Sequence, residues 1–164
     1  MIRALLAAAL LAFLSACAPE SGAMTAGPGH PVTGSPLANA VRVGAVSGGT
    51  STNSFAYADV SDVDLQDALQ QSLAGSGLYT RGDARYALSL AFASERSVEG
   101  TTARVHVQIQ YTLVEFATNR TLLNETIDTR SNDADAGLSY KAAQEQAIKR
   151  NIAQMMAKLD AWGG

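Results

Sequence analysis

The sequence is short of the residues from which most catalytic and metal sites are built. Its 164 residues include 1 cysteine and 2 histidines. A single cysteine excludes an internal disulfide framework, and two histidines without a second cysteine exclude the usual closed zinc sites. The patterns Gly-x-Ser-x-Gly and His-Glu-x-x-His are also absent from the sequence. We therefore expect no metal ion and no other cofactor.

Positive charge and long apolar runs are equally scarce. The chain has 12 Lys and Arg residues against 15 Asp and Glu residues, and its pI is near 5.3. A nucleic-acid-binding domain usually has a pI above about 9, so we expect no nucleic-acid partner. The main uncharged apolar run is Ala4–Leu14, with 11 residues, whereas a transmembrane helix needs about 20. No segment is predicted to span a membrane.

The N-terminal run instead has the form of an export signal. Arg3 supplies the positive start, and the apolar run has the length of the hydrophobic part of a signal peptide. The sequence Leu14-Ser15-Ala16-Cys17 then resembles the bacterial lipobox, which implies cleavage between Ala16 and Cys17 and acylation of the Cys17 thiol. A thioether to diacylglycerol forms only on sulfur, and two or more acyl chains anchor a protein stably. The alternative is an ordinary secretory signal that leaves Cys17 as a free thiol.

The chain divides into a signal peptide at 1–16, a flexible tether at 17–38 and one periplasmic domain at 39–164. The tether is predicted because it contains all four prolines, several glycines and no sustained apolar period. In lipoproteins of this kind an Asp after the acylated cysteine commonly signals retention in the inner membrane. Ala18 stands there instead, so the resemblance implies a protein anchored through Cys17 in the outer membrane and facing the periplasm.

Within the domain the hydrophobic pattern predicts the order β-α-β-β-β-α. Ser61 has the spacing of a helix cap, and a helix is expected from there to Gly75. A second, longer helix is expected over Tyr140–Trp162, where apolar residues recur at helical spacing. Strands are predicted near 41–46, 86–92, 105–113 and 121–130, and the pair Leu122-Leu123 leaves the register of the last strand ambiguous.

This order predicts an α+β fold: a two-layer sandwich with a mixed four-stranded sheet and two helices on one face. A right-handed crossover should place the first strand parallel to the second. The third strand has the clearest period of two, so one of its faces is core and the other is open to water or a partner. Five residues of that open face form the candidate partner surface: Arg104, His106, Gln108, Gln110 and Thr112.

The domain resembles the lipopolysaccharide-assembly lipoproteins of the LptE type. The similarity is carried by 85–90, by 111–118 and by the long closing helix, while Ala147–Ile152 is similar to small uncharacterised envelope lipoproteins of the YajG type. The first resemblance implies a non-enzymatic protein that assists envelope assembly or transport beside an outer-membrane barrel protein. Two alternatives remain open: a module that binds a periplasmic ligand between helix and sheet, and a hydrolase or transferase that uses His106.

Overall fold

The computed structural model of the protein describes residues 21–27, 34–49, 60–99, 102–131 and 139–162. These residues form the predicted α+β order, preceded by one additional short helix. In chain order the elements are α1 (Ser21–Met24), β1 (Val41–Ser47), α2 (Asp62–Gly75), β2 (Tyr86–Glu99), β3 (Thr102–Glu115), β4 (Arg120–Arg130) and α3 (Tyr140–Ala161).

The four strands form one mixed sheet in the order β1-β2-β3-β4. β1 and β2 are parallel, as the crossover through α2 predicts, and the other two pairs are antiparallel. The alternation along β3 sends Val107, Ile109, Tyr111 and Leu113 into the core, where each is almost completely buried. Helices α2 and α3 supply the opposite half of that core, so they cover one face of the sheet.

Both long helices begin at a serine cap, of which the one at Ser61 was predicted. The Ser61 side chain accepts a hydrogen bond from the Asp64 amide at 3.1 Å, and Ser139 does the same for the Ala142 amide at 3.2 Å. The buried face of α3 runs from Ala143 to Leu159. Trp162, which was expected to continue that face, is 41% exposed because α3 ends one residue before it.

A polar residue lies in the middle of the buried face of α3. The Asn151 amide donates to the Ile127 carbonyl oxygen at 2.7 Å and to Thr129 Oγ1 at 3.3 Å, and its oxygen accepts from the Tyr111 hydroxyl at 3.0 Å. Thr129 Oγ1 in turn donates to the Ala147 carbonyl oxygen at 2.9 Å. These groups, called here the buried network, connect α3 to β3 and β4. Burial raises the pKa of the Tyr111 phenol, so it remains a neutral donor.

The segment predicted as a flexible tether is packed against the domain wherever it is described. Met24 and Leu37 are completely buried and Ala26 is 5% exposed, and the Ala26 amide donates to Ser72 Oγ on α2 at 2.9 Å. The prediction was therefore wrong for 21–27 and 34–38, and the folded unit begins well before residue 39. The physical reason is that three isolated apolar residues are enough to dock a short segment without creating a periodic pattern.

The ambiguous register of β4 is settled by a bulge. Leu113 pairs with Leu123, whereas Val114 pairs with Thr121, so Leu122 is the extra residue on β4. Both leucines are half-buried and pack on the core. Beyond the bulge, Asn124, Thr126 and Asp128 pair with Thr112, Gln110 and Gln108 and so lie on the face opposite the helices.

Candidate partner surface

The predicted surface residues of β3 do lie together on the sheet face that α2 and α3 leave open. Gln108 and Gln110 are exposed, and Arg104, His106 and Thr112 are half-buried. The antiparallel register places a row of polar β4 residues directly beside them. We call this the outer face and define it by both rows: Arg104, His106, Gln108, Gln110, Thr112, Asn124, Thr126 and Asp128.

Two residues of the β3 row share one carboxylate oxygen. His106 Nε2 lies 3.1 Å from Asp128 Oδ1, and the Gln108 side-chain amide donates to the same oxygen at 3.1 Å. The His106 side chain is 31% exposed and that of Asp128 is 54% exposed. A polar contact this open to water contributes little to stability, so the arrangement fixes side-chain orientations more than it holds the sheet together.

A second pair continues the row toward the bulge. The Gln110 side-chain amide donates to Asn124 Oδ1 at 3.0 Å, and both residues are exposed. The carboxamides of both residues keep donor and acceptor capacity beyond this single bond. The outer face therefore presents hydrogen-bond donors and acceptors at fixed positions.

The β2 residues beside Gln108, Gln110 and Thr112 have small side chains. Ala91 and Ala93 are exposed and pair with Gln110 and Gln108, and Ser89 pairs with Thr112. Further along β2, the exposed Glu95 pairs with His106. From Gln108 to Thr112 the outer face is consequently stepped, with short side chains over β2 and longer polar ones over β3 and β4.

Charged residues concentrate at the end of the sheet where β3 finishes. The Glu115 carboxylate accepts from the Thr118 hydroxyl at 2.8 Å and from two nitrogens of Arg85 at 2.9 and 3.1 Å. These hydrogen bonds, from Thr118 first and then from Arg85, hold the pKa of Glu115 below its ordinary value despite burial, which opposes the shift. Beside them the Arg42 guanidinium lies 4.3 Å from the centre of the Phe116 ring.

The sequence indicated only half of the outer face. Asn124, Thr126 and Asp128 were missed because the double leucine hid the alternation of β4. The contacts of Arg42 and Arg85 were missed because they join segments distant in sequence. Ala16 and Cys17, the predicted cleavage and acylation site, lie outside the described residues.

No helix in 21–27, 34–49, 60–99, 102–131 or 139–162 is long and apolar enough to cross a membrane. In those same ranges no group of three or more His, Cys, Asp or Glu residues is placed to hold a metal ion. What the geometry does define is a two-layer α+β domain with one helix-covered and one open, polar sheet face.

Comparison with known proteins gives the family. The model of the LptE family, described as lipopolysaccharide-assembly, matches residues 38–159, which is most of the chain. The protein therefore belongs to the LptE lipopolysaccharide-assembly family. No curated protein matches it significantly.

Solved structures of low sequence identity share the fold. A Xanthomonas campestris protein of the DUF330 family has a TM-score of 0.57 at 14% identity, covering 84% of this chain and 94% of its own. A Chlamydia trachomatis hypothetical protein has a TM-score of 0.59 at 7% identity, covering 76% and 96%. A protein named as a candidate lipoprotein from Caulobacter crescentus has a TM-score of 0.51 at 14% identity, covering 80% and 93%.

Proposed function

We propose that the protein is a non-enzymatic, lipid-anchored component of lipopolysaccharide assembly at the outer membrane. In this proposal the domain faces the periplasm and uses its outer face to bind a protein partner, an outer-membrane barrel of the assembly machinery. The observation that carries the proposal is the open polar face of β3 and β4 in a domain of the LptE family.

The chemistry of the outer face suits recognition of a protein better than catalysis. Its exposed groups are mainly carboxamides, which donate and accept hydrogen bonds but do not exchange protons near neutral pH. The His106 and Asp128 pair is the closest approach to an acid–base site, yet no described Ser, Thr or Cys hydrogen-bonds to the His106 ring. General base catalysis needs such a group, or a substrate, within hydrogen-bond reach.

The anchor in this proposal is Cys17. Ser21, where the described chain begins, follows Cys17 by four residues, so the two are at most about 14 Å apart even in extended chain. Because Met24 and Ala26 are packed into the domain, an acylated Cys17 would hold the domain close to the membrane surface. In this proposal a short link therefore joins Cys17 to the domain, in place of the long tether expected from the sequence.

The anchor is tested by Cys17→Ser in cells labelled with palmitate. We expect the parent chain to carry label and to fractionate with outer membranes, and the variant to lose both properties. An unlabelled parent chain that is soluble in the periplasm would contradict the anchor. That result would leave the role of the outer face to be decided separately.

The outer face is tested by a charge-neutral double variant, Gln108→Arg with Gln110→Glu. The matched control is Gln154→Arg, which changes an exposed glutamine on α3. With the chromosomal copy replaced, we expect the double variant to reduce the arrival of newly made lipopolysaccharide at the cell surface, while the control leaves it unchanged. Unchanged arrival in the double variant, at a normal level of the protein, would contradict the proposed use of this face.

A further inference from the structure

A polar groove runs along the free edge of β1, on the side of that strand away from β2. It encloses about 480 Å³, with Gln66 and Gln70 of α2 on one wall and Tyr79 and Arg81 of the following loop near one end. Arg42 and Val43 of β1 also line it. We call this the β1 groove, and none of its residues belongs to the outer face defined above.

On the free edge of β1, the backbone of the first residue, Val41, is hydrogen-bonded to the loop after α2, whereas the backbone of Val43 is not. The Val41 amide donates to the Leu78 carbonyl oxygen at 3.0 Å, and the Thr80 amide donates to the Val41 carbonyl oxygen at 2.9 Å. Val41 therefore forms a parallel bridge with Tyr79. Because backbone groups alternate in direction along a strand, the amide and carbonyl of Val43 point to the same side as those of Val41, away from β2. β1 is the edge strand of the described sheet, so no described strand pairs with Val43 there.

The groove also contains one guanidinium group without a carboxylate partner in the described part of the chain. Arg81 is exposed, and Asp83, two residues away, forms no ion pair with it in the described ranges. Arg42 lines the groove as well, but its guanidinium lies over the Phe116 ring at the end of β3. The guanidinium donors of Arg81 match a carboxylate.

The wall of the β1 groove that α2 forms contributes neutral hydrogen-bonding groups suited to a peptide backbone. Gln70 accepts from the Tyr79 hydroxyl at 3.0 Å through its side-chain oxygen, which leaves its amide hydrogens as donors. Gln66 is exposed and has no hydrogen-bond partner among the described residues. A simple anion needs donors alone, whereas a peptide needs donors and acceptors side by side, and the open Val43 backbone supplies one of each.

We infer that the β1 groove is a docking site for an extended acidic peptide segment of a partner protein. The segment pairs with Val43 as a short added strand and places a carboxylate side chain against Arg81. Strand addition obtains affinity from main-chain hydrogen bonds and specificity from side-chain contacts. The irregularity in β1 between Val43 and Val46 limits the pairing to a short stretch, so Arg81 supplies much of the selectivity.

The probe is a fluorescein-labelled hexapeptide that alternates glutamate with valine, measured by fluorescence anisotropy with the full chain purified in detergent. We expect saturable binding that weakens with salt. Methylating the peptide nitrogens on one edge blocks strand pairing without altering the protein or the charge. We expect that methylation to weaken binding about tenfold, corresponding to the loss of one or two main-chain hydrogen bonds.

The charge contribution is tested by Arg81→Ala, and the matched control is Arg130→Ala on the opposite edge strand. We expect Arg81→Ala to weaken binding by about tenfold, and the control to bind like the parent chain. Absence of binding by the parent chain, equal binding of the methylated peptide, or equal weakening by Arg130→Ala would overturn the inference. Displacement of the peptide by excess inorganic phosphate, with no effect of methylation, would indicate a simple anion site and overturn it as well.

Discussion

The two faces of β3 and β4 carry similar polar groups in opposite settings. On the covered face, Asn151 is hydrogen-bonded to Tyr111, Thr129 and the Ile127 carbonyl inside the buried core. On the open face, Gln110 bonds Asn124, and Gln108 bonds Asp128, in contact with water. The hydrogen bonds have similar lengths, but only the buried ones are costly to leave unmade. The polar groups of the covered face therefore contribute to the stability of the fold, whereas those of the open face contribute little to stability and are available for binding.

The largest expected effect breaks the buried network. Asn151→Leu leaves the Tyr111 hydroxyl buried without a partner, at about 1–3 kcal/mol, and removes the side-chain hydrogen bond to the Ile127 carbonyl oxygen. We expect a loss of about 2–3 kcal/mol in the free energy of unfolding, measured by urea denaturation. The matched control Asn124→Leu makes the same change on the open face and should alter stability by about 0.5 kcal/mol or less. Equal losses in the two variants would contradict the comparison.

The next effect concerns the N-terminal segment that was expected to be a tether. Met24→Ala removes a completely buried side chain, and large-to-small core changes of this kind cost about 2–5 kcal/mol. We expect Met24→Ala to lower the free energy of unfolding by about 2 kcal/mol. Val63→Ala, at a site that is 66% exposed, is the control and should change it by no more than about 0.5 kcal/mol. A neutral Met24→Ala would mean that residues 21–27 are not part of the folded unit.

A smaller, pH-dependent effect is expected at Glu115, the last residue of β3. Its folded pKa is lowered by Thr118 and Arg85, so its contribution to stability is present above the unfolded pKa, about 4.3, and is lost as the pH falls through the folded value. The Tm of Glu115→Gln should therefore lie below that of the parent chain near pH 7, and the gap should close in acid. When Thr118→Val is added to both chains, the Tm difference between the parent chain and Glu115→Gln should become smaller. A Tm difference that widens in acid would contradict the stabilising role assigned to the Glu115 carboxylate.

The smallest effect on stability is expected where the largest effect on binding is proposed. Gln108→Arg with Gln110→Glu changes only exposed side chains, so the free energy of unfolding should change by no more than about 0.5 kcal/mol. Thermal and urea denaturation of the double variant measure this directly. A large loss of stability would mean that the outer face, like the covered face, is needed for folding.

Local patterns predicted most of the fold. The period of two in β3 assigned both of its faces, and the cap at Ser61 fixed the start of α2, because neighbouring residues decide both features. The isolated buried residues Met24 and Leu37 left no such pattern. Asn151 did leave a signal, since it is a polar residue on the apolar stripe between Ile148 and Ile152, but its partners come from other strands.

The candidate site was only partly predictable for a related reason. The β3 half of the outer face follows from alternation, whereas the β4 half depends on the bulge at Leu122, which long-range pairing decides. The β1 groove combines residues from β1, α2 and the loop after α2. No local pattern links those three segments, so only the folded chain brings them together.

The most direct test of the central claim is photo-crosslinking in intact cells from the two faces of the domain. A benzophenone amino acid would replace Gln108 or Gln110 on the outer face, or Gln154 on the exposed side of α3, in otherwise identical chains. We expect a crosslink to an outer-membrane barrel of the lipopolysaccharide assembly machinery from positions 108 and 110 and none from position 154. A crosslink to that barrel from position 154 alone, or equally from all three positions, would contradict it.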